Sequence, residues 1–165
     1  MTIPSKGMDH DLYDFSAMPT RGSMPWPDGA HMAMTVLLHL EYWELQPPEG
    51  SVRDNRFTGE YGFYYPEYRP FTQREYGNRV GIFRVLKTLD DFDFKITVAA
   101  NAAALVRYPE LVQALQGRGC EFIAHGEKQT QMLSSAMSED EERAVISRTT
   151  DTFKLALGYQ PDGWL

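Results

Sequence analysis

The chain has 165 residues, 42% hydrophobic and 24% charged, which suits one globular domain with a substantial core. Its formal net charge is −7 and no long basic run occurs, which argues against nucleic acid or an anionic membrane as partner. The one cysteine, Cys120, excludes an intrachain disulfide and fits a reducing compartment, where it is expected to be an inert buried thiol.

No basic segment followed by an apolar one opens the chain, and no apolar run approaches the ~20 residues of a membrane span, so the cytoplasm is the expected location. Residues 1–30 are rich in Pro, Gly, Met and Asp without a period. They are expected to form an irregular arm, docked through Tyr13, Phe15 and Trp26, ahead of a domain over residues 31–165. Ala33–Leu40 (AMTVLLHL) reads as a buried strand that ends at Glu41-Tyr42-Trp43-Glu44. Residues 45–74 read as one long connection dense in Pro, Gly and aromatics, expected to be a wall or lid of a pocket. From Arg79 to Asp91 the apolar residues at 80, 82, 83, 85, 86 and 89 have helical spacing. Phe94–Ala99 is a second strand, and Asn101 is placed to cap the turn after it. Tyr108–Gly117 is a helix with Pro109 in its first turn and Gly117 as its stop. Cys120–Ala124 is a third strand. Ser138 and Glu141 form a capping box that opens a helix to about Leu157, and GYQPDGWL enters a fourth strand. This alternation predicts a parallel α/β sheet, open or closed into a barrel, with an open edge if it stops at four strands.

Parallel sheets bind their ligands at the carboxyl ends of the strands. Two ionisable residues stand at such ends, Glu41 after the first strand and His125 after the third. Gly126 removes a side chain beside His125 and lets a ligand approach the backbone. A carboxylate and an imidazole in one pocket can activate water. The plainer reading of each is a structural residue satisfied by hydrogen bonds. His39 precedes Glu41 by two, so both point to one face of an extended strand, either as joint pocket elements or as core alternation. Nothing in the spacing of His31 marks a site.

Five segments in order carry a resemblance: EYGNRVG (75–81), ANAA…YPEL (100–111), GCEFIAHG (119–126), MSEDEERAVI (137–146) and GYQPDGWL (158–165). Together they resemble the polysaccharide deacetylase, or NodB-homology, family over roughly residues 25–165, nearest its cytoplasmic allantoinase-like and cyclic-imidase-like branch. The resemblance implies a partial β/α barrel with parallel strands, truncated after about four of them. It implies hydrolysis of C–N bonds other than peptide bonds, in amides, cyclic imides or ureides, or the N-acetyl sugars of carbohydrate metabolism. Sugar deacetylases of the family carry an Asp-Asp pair where this chain has Leu40-Glu41-Tyr42. Glu41 is therefore the implied base, with Glu44 a weaker second, and His125 the polariser or acid. Glu75, Tyr76 and Arg79 are the implied substrate-binding residues of the EYGNRVG segment, and Trp43 and Trp164 are candidate pocket walls. The family's metal motif places a second histidine four residues after the first, where this chain has Gln129. A neutral amide is a poor ligand, so no metal or other cofactor is expected; zinc dependence would point to His31 or His39 as the missing ligand. Family members continue past GWL into further strands and a late acid histidine. The chain is thus expected to self-associate or to pair with a complementary chain around a small-molecule substrate. A second reading is a non-catalytic relative, or half of a split enzyme, that binds a partner or ligand through the same crevice.

Overall fold

Three parallel strands carry the fold: β1 (Val36–Leu40), β2 (Ile96–Ala100) and β3 (Glu121–Ala124), hydrogen-bonded in that order. They come from a computed structural model that describes residues 10, 12–53, 56, 62 and 64–165. The register aligns Leu40 with Ala100 and Ala100 with Ala124, so the three carboxyl ends finish level. The chain divides into two units, Met1–Met34 and Thr35–Leu165.

In the first unit, short 3-10 turns at Met18–Thr20 and Pro27–Gly29 each have a proline in the first turn, where its missing N–H is not needed. Tyr13, Phe15 and Trp26 are all exposed.

In the second unit the apolar positions of the strands alternate. Leu40, Ile96, Val98, Ala100, Phe122 and Ala124 pack on one side against Leu86, Leu105, Leu111, Leu115 and Phe153 of the helices. Cys120 joins this core, and burial raises its thiol pKa, as an inert thiol requires. The opposite side is more open and polar. There Thr97 donates to Glu121 at 2.8 Å, and Leu37 is 37% exposed.

The helices are α1 (Tyr68–Tyr76), α2 (Ile82–Asp90), α3 (Ala102–Arg107), α4 (Pro109–Gln116) and α5 (Glu139–Leu157). The capping box at Ser138 forms as read, with Glu141 reaching back. The expected connection over 45–74 is shorter than read, because α1 occupies its last residues. A π-helical turn at Gly77–Gly81 joins α1 to α2, so helical backbone runs from Tyr68 to Asp90. Pro70 is no obstacle, since it sits in the first turn, where N–H groups have no intrahelical partner. Glu67 caps the start by accepting from the Arg69 backbone N–H. Of the aromatic stretch expected as a lid, residues 57–61 and 63 lie outside the described residues.

The expected fourth strand is present as one parallel bridge between Ala124 and Trp164. Ala124 donates to the Gly163 carbonyl and receives the Leu165 N–H, both at 2.9 Å. Gly163 suits this close approach, since a Cβ there would lie 2.9 Å from Cγ2 of Ile123. No described helix is long and apolar enough to cross a membrane.

Candidate active site

The level strand ends are locked together by Asn101, which is fully buried. Its backbone N–H donates to Leu40 at the end of β1, at 3.0 Å. Its side-chain oxygen accepts from the Tyr42 N–H at 2.9 Å, and its amide nitrogen donates to the His125 carbonyl. The expected role of Asn101 as a helix cap is thus corrected. Its side chain makes no capping bond and joins the residues after β1 to those after β3. The first amides of α3 are met instead by the carbonyls of Gly126 and Glu127, at 2.9 and 3.0 Å. Gly126 turns the chain into that position with φ +73°, a left-handed conformation that glycine takes without steric cost. The strand stops on His-Gly because the backbone must turn there to cap the neighbouring helix, which leaves His125 at the sheet end.

Glu41 and His125 therefore meet, and His39 joins them. One donor atom from each of the three side chains lies within 4.8 Å of the others. His39 Nδ1 is 3.8 Å from Glu41 Oε1, and the two imidazoles stand edge to face at 5.4 Å between centroids. The other Glu41 oxygen accepts from Trp43 Nε1–H at 2.8 Å, and Arg74 stacks over the Trp43 ring at 3.9 Å. Asn78 donates to the Glu41 backbone carbonyl at 3.0 Å. His125 Nδ1–H donates to the Leu165 carbonyl at 3.1 Å, while its Nε2 is buried with no partner among the described residues.

His39 and Glu41 open onto a cleft of about 380 Å³ with Arg56, Gln73, Arg74, Gly77 and Asn78 on its walls. That volume suits a small molecule. His125 and Trp164 line a neighbouring opening of about 210 Å³ together with Gln129 and Leu165. Trp43 also walls a tighter, mostly apolar cavity of about 50 Å³ with Tyr65, Pro70 and Phe71.

Glu75, Tyr76 and Arg79 do not line the cleft. Glu75 accepts from Arg79 at 2.6 Å and from the buried Tyr108 hydroxyl, and Tyr76 accepts from Arg84 at 2.9 Å. Burial and this bond to Glu75 raise the pKa of Tyr108 above its ordinary 10.0. The same stretch instead presents Gln73, Arg74, Gly77 and Asn78, which reading the sequence passed over. Their signal was helical phase, since 74 and 78 are one turn apart. Glu44, the weaker candidate base, is held by Lys128 at 2.7 Å and Thr130 at 2.9 Å. His31 belongs to the other unit.

Two imidazoles and a carboxylate form a donor set that fits a divalent ion of the zinc type. The buried, unpartnered His125 Nε2 is consistent with that fit.

Residues 75–165, more than half of the chain, match the family model described as polysaccharide deacetylase. No curated protein sequence matches significantly. Among solved structures, the Puue allantoinase is similar with TM-score 0.74 and 24% identity, over 94% of this chain and 53% of its own. A protein assigned as a polysaccharide deacetylase from Mycobacterium smegmatis gives TM-score 0.65 and 23% identity, over 87% of this chain and 46% of its own. Another so assigned, from Pseudomonas aeruginosa PAO1, gives 0.59 and 25%, over 79% and 45%. The chain spans about half the length of these structures. Their likeness identifies the open three-stranded sheet as part of a NodB-type β/α barrel. By the match over residues 75–165, the chain belongs to the polysaccharide deacetylase family.

Proposed function

We propose that the chain hydrolyses a C–N bond other than a peptide bond, in a small amide, a cyclic imide or ureide, or an N-acetyl sugar. The observation that carries this reading is the meeting of Glu41 and His125, from separate strands, at one sheet end beside a cleft of small-molecule size. Trp43 fixes one oxygen of Glu41 and leaves the other toward His39. In this reading that oxygen takes a proton from water as the water oxygen attacks the carbonyl carbon. In this reading His125 polarises the carbonyl oxygen in its doubly protonated form, which donates from Nε2 while Nδ1–H stays on the Leu165 carbonyl. The protonated Glu41 then returns its proton to the nitrogen as the C–N bond breaks, giving an acid and an amine. Arg74 and Asn78 on the cleft wall orient the substrate. A divalent cation, if held by His39, Glu41 and His125, would polarise the carbonyl and acidify a coordinated water.

The test is turnover of a hydantoin ring, a cyclic imide and an N-acetylglucosamine oligomer by the whole chain. Glu41→Gln keeps the shape and removes the base, so the rate is expected to fall ~10²–10⁴-fold with the unfolding curve unchanged. A rate within about threefold of the parent would show that Glu41 is not the base. Absence of turnover on all three substrates would favour the second reading, a non-catalytic relative or half of a split enzyme.

A further inference from the structure

We propose that the apolar cavity beside Trp43 is a substrate subsite that receives a short uncharged alkyl group, such as isopropyl, carried on the carbon next to the reacting carbonyl. The proposal rests on the hydrolytic reading and narrows its substrates to small amides, imides and ureides so substituted.

Connection to the cleft is the first argument. Trp43 serves two spaces. Its Nε1–H holds Glu41 at 2.8 Å, and its ring walls the cavity with Leu45, Val52, Tyr65, Pro70 and Phe71. Arg74 stands over that ring at 3.9 Å and lines both the cavity and the cleft onto which His39 and Glu41 open. A group seated against Trp43 is therefore one side chain away from the proposed base. A carbonyl at Glu41 with an alkyl group on the adjoining carbon matches that step.

Size is the second argument. An apolar cavity of ~150 Å³ holds benzene, so the volume of about 50 Å³ here corresponds to roughly two or three carbon atoms. A sugar ring is no smaller than benzene and does not fit.

The third argument is polarity. The carboxylates at the rim are already turned to partners within the protein. Glu44 accepts from Lys128 at 2.7 Å and from Thr130 at 2.9 Å. Glu67 accepts from the Arg69 guanidinium at 2.8 and 2.6 Å and from the Tyr64 N–H at 3.2 Å. A hydroxyl entering the cavity would forfeit its bonds to water, whereas an alkyl group gains by leaving water. The same bonds brace the walls. Arg69 also donates to the Gly62 carbonyl at 2.8 Å, which ties the residues before α1 to its first turn. Opposite them the Val52 N–H donates to the Thr130 carbonyl at 3.0 Å. Braced walls need little ordering on binding.

Calorimetry would compare hydantoin with its isopropyl derivative on the whole chain carrying Glu41→Gln, which removes turnover from the measurement. Each buried carbon strengthens binding about fourfold, so the isopropyl compound is expected to bind roughly 15–60-fold tighter. Val52→Phe, at a half-buried position, fills the cavity and should abolish that preference while hydantoin binds as before. Phe71→Ala removes a ring from the wall and should transfer the preference to benzylhydantoin, whose ring takes its place. Equal binding of hydantoin and its isopropyl derivative, no binding of either, or a preference that survives Val52→Phe with the unfolding curve intact would overturn the proposal. Where Val52→Phe fails to fold, Phe71→Ala decides, and no gain for the benzyl compound would overturn it. Preferential binding with no turnover by the parent chain would uphold the subsite and refute the hydrolase. Turnover of both compounds at equal kcat/KM would do the reverse.

Discussion

Asn101 shows how one buried side chain can hold a site it does not belong to. It joins the backbone of Tyr42 to that of His125, and so sets the separation of Glu41 from His125. Replacing it by alanine leaves a buried N–H and a buried carbonyl without partners, each at about 1–3 kcal/mol. Asn101→Ala is therefore expected to lose about 2–6 kcal/mol in urea unfolding and to lose any turnover that depends on the Glu41–His125 separation, while both side chains remain. Asn101→Asp is the sharper control. It keeps the acceptor for Tyr42 but sets a carboxylate against the His125 carbonyl, where a donor is needed. Stability equal to the parent in both variants would mean that the strand ends hold themselves.

The continuous helical run from Tyr68 to Asp90 meets the α3–α4 junction through Tyr108, whose hydroxyl donates to Glu75. Burial, and then this bond, keep the phenol protonated, so its folded pKa lies above the unfolded value near 10. The sign follows from proton binding. Above pH ~10 the unfolded chain releases this proton first, so the contribution is complete below pH ~10 and is lost as pH rises through the raised folded value. Tyr108→Phe should cost about 1–2 kcal/mol at neutral pH and flatten the alkaline arm of stability against pH, as read by chemical unfolding from pH 8 to 11. An unchanged alkaline arm would show that another group sets it. The same helix marks where the sequence could be read and where it could not. The strands and α5 carry short-range signals, apolar runs and a capping box, and the structure follows them closely. The meeting of Glu41 and His125 was legible because each follows a strand, and the carboxyl ends of these parallel strands finish level. The start of α1 was hidden because Tyr, Pro and Phe resemble a loop until the Glu67 cap is seen. Without that start the helical phase was lost. Glu75 and Arg79 were read as facing the substrate, while the structure turns Arg74 and Asn78 to the cleft and Glu75 to Tyr108. The clamp by Asn101 depends on contacts about 60 and 24 residues away in sequence, which no local pattern records.

At the scale of the molecule, one side of the sheet is packed by helices and the other is not. Leu37, His39, Thr97 and Ile123 lie on the less covered side, and among the described residues β1 pairs only with β2. On the far side β3 is met by a single bridge to Trp164. An edge strand with free N–H and C=O groups is a template for another chain, and an apolar residue beside it adds area to that contact. We therefore expect the chain to self-associate. Light scattering at micromolar concentration should give at least a dimer mass. Leu37→Lys places a charge on β1, the device by which natural edges resist pairing, and should shift the mass toward the monomer without lowering helix content. Leu37 is more than a third exposed, so the substitution tests the surface rather than the core. A parent chain that runs as a clean monomer would overturn the expectation.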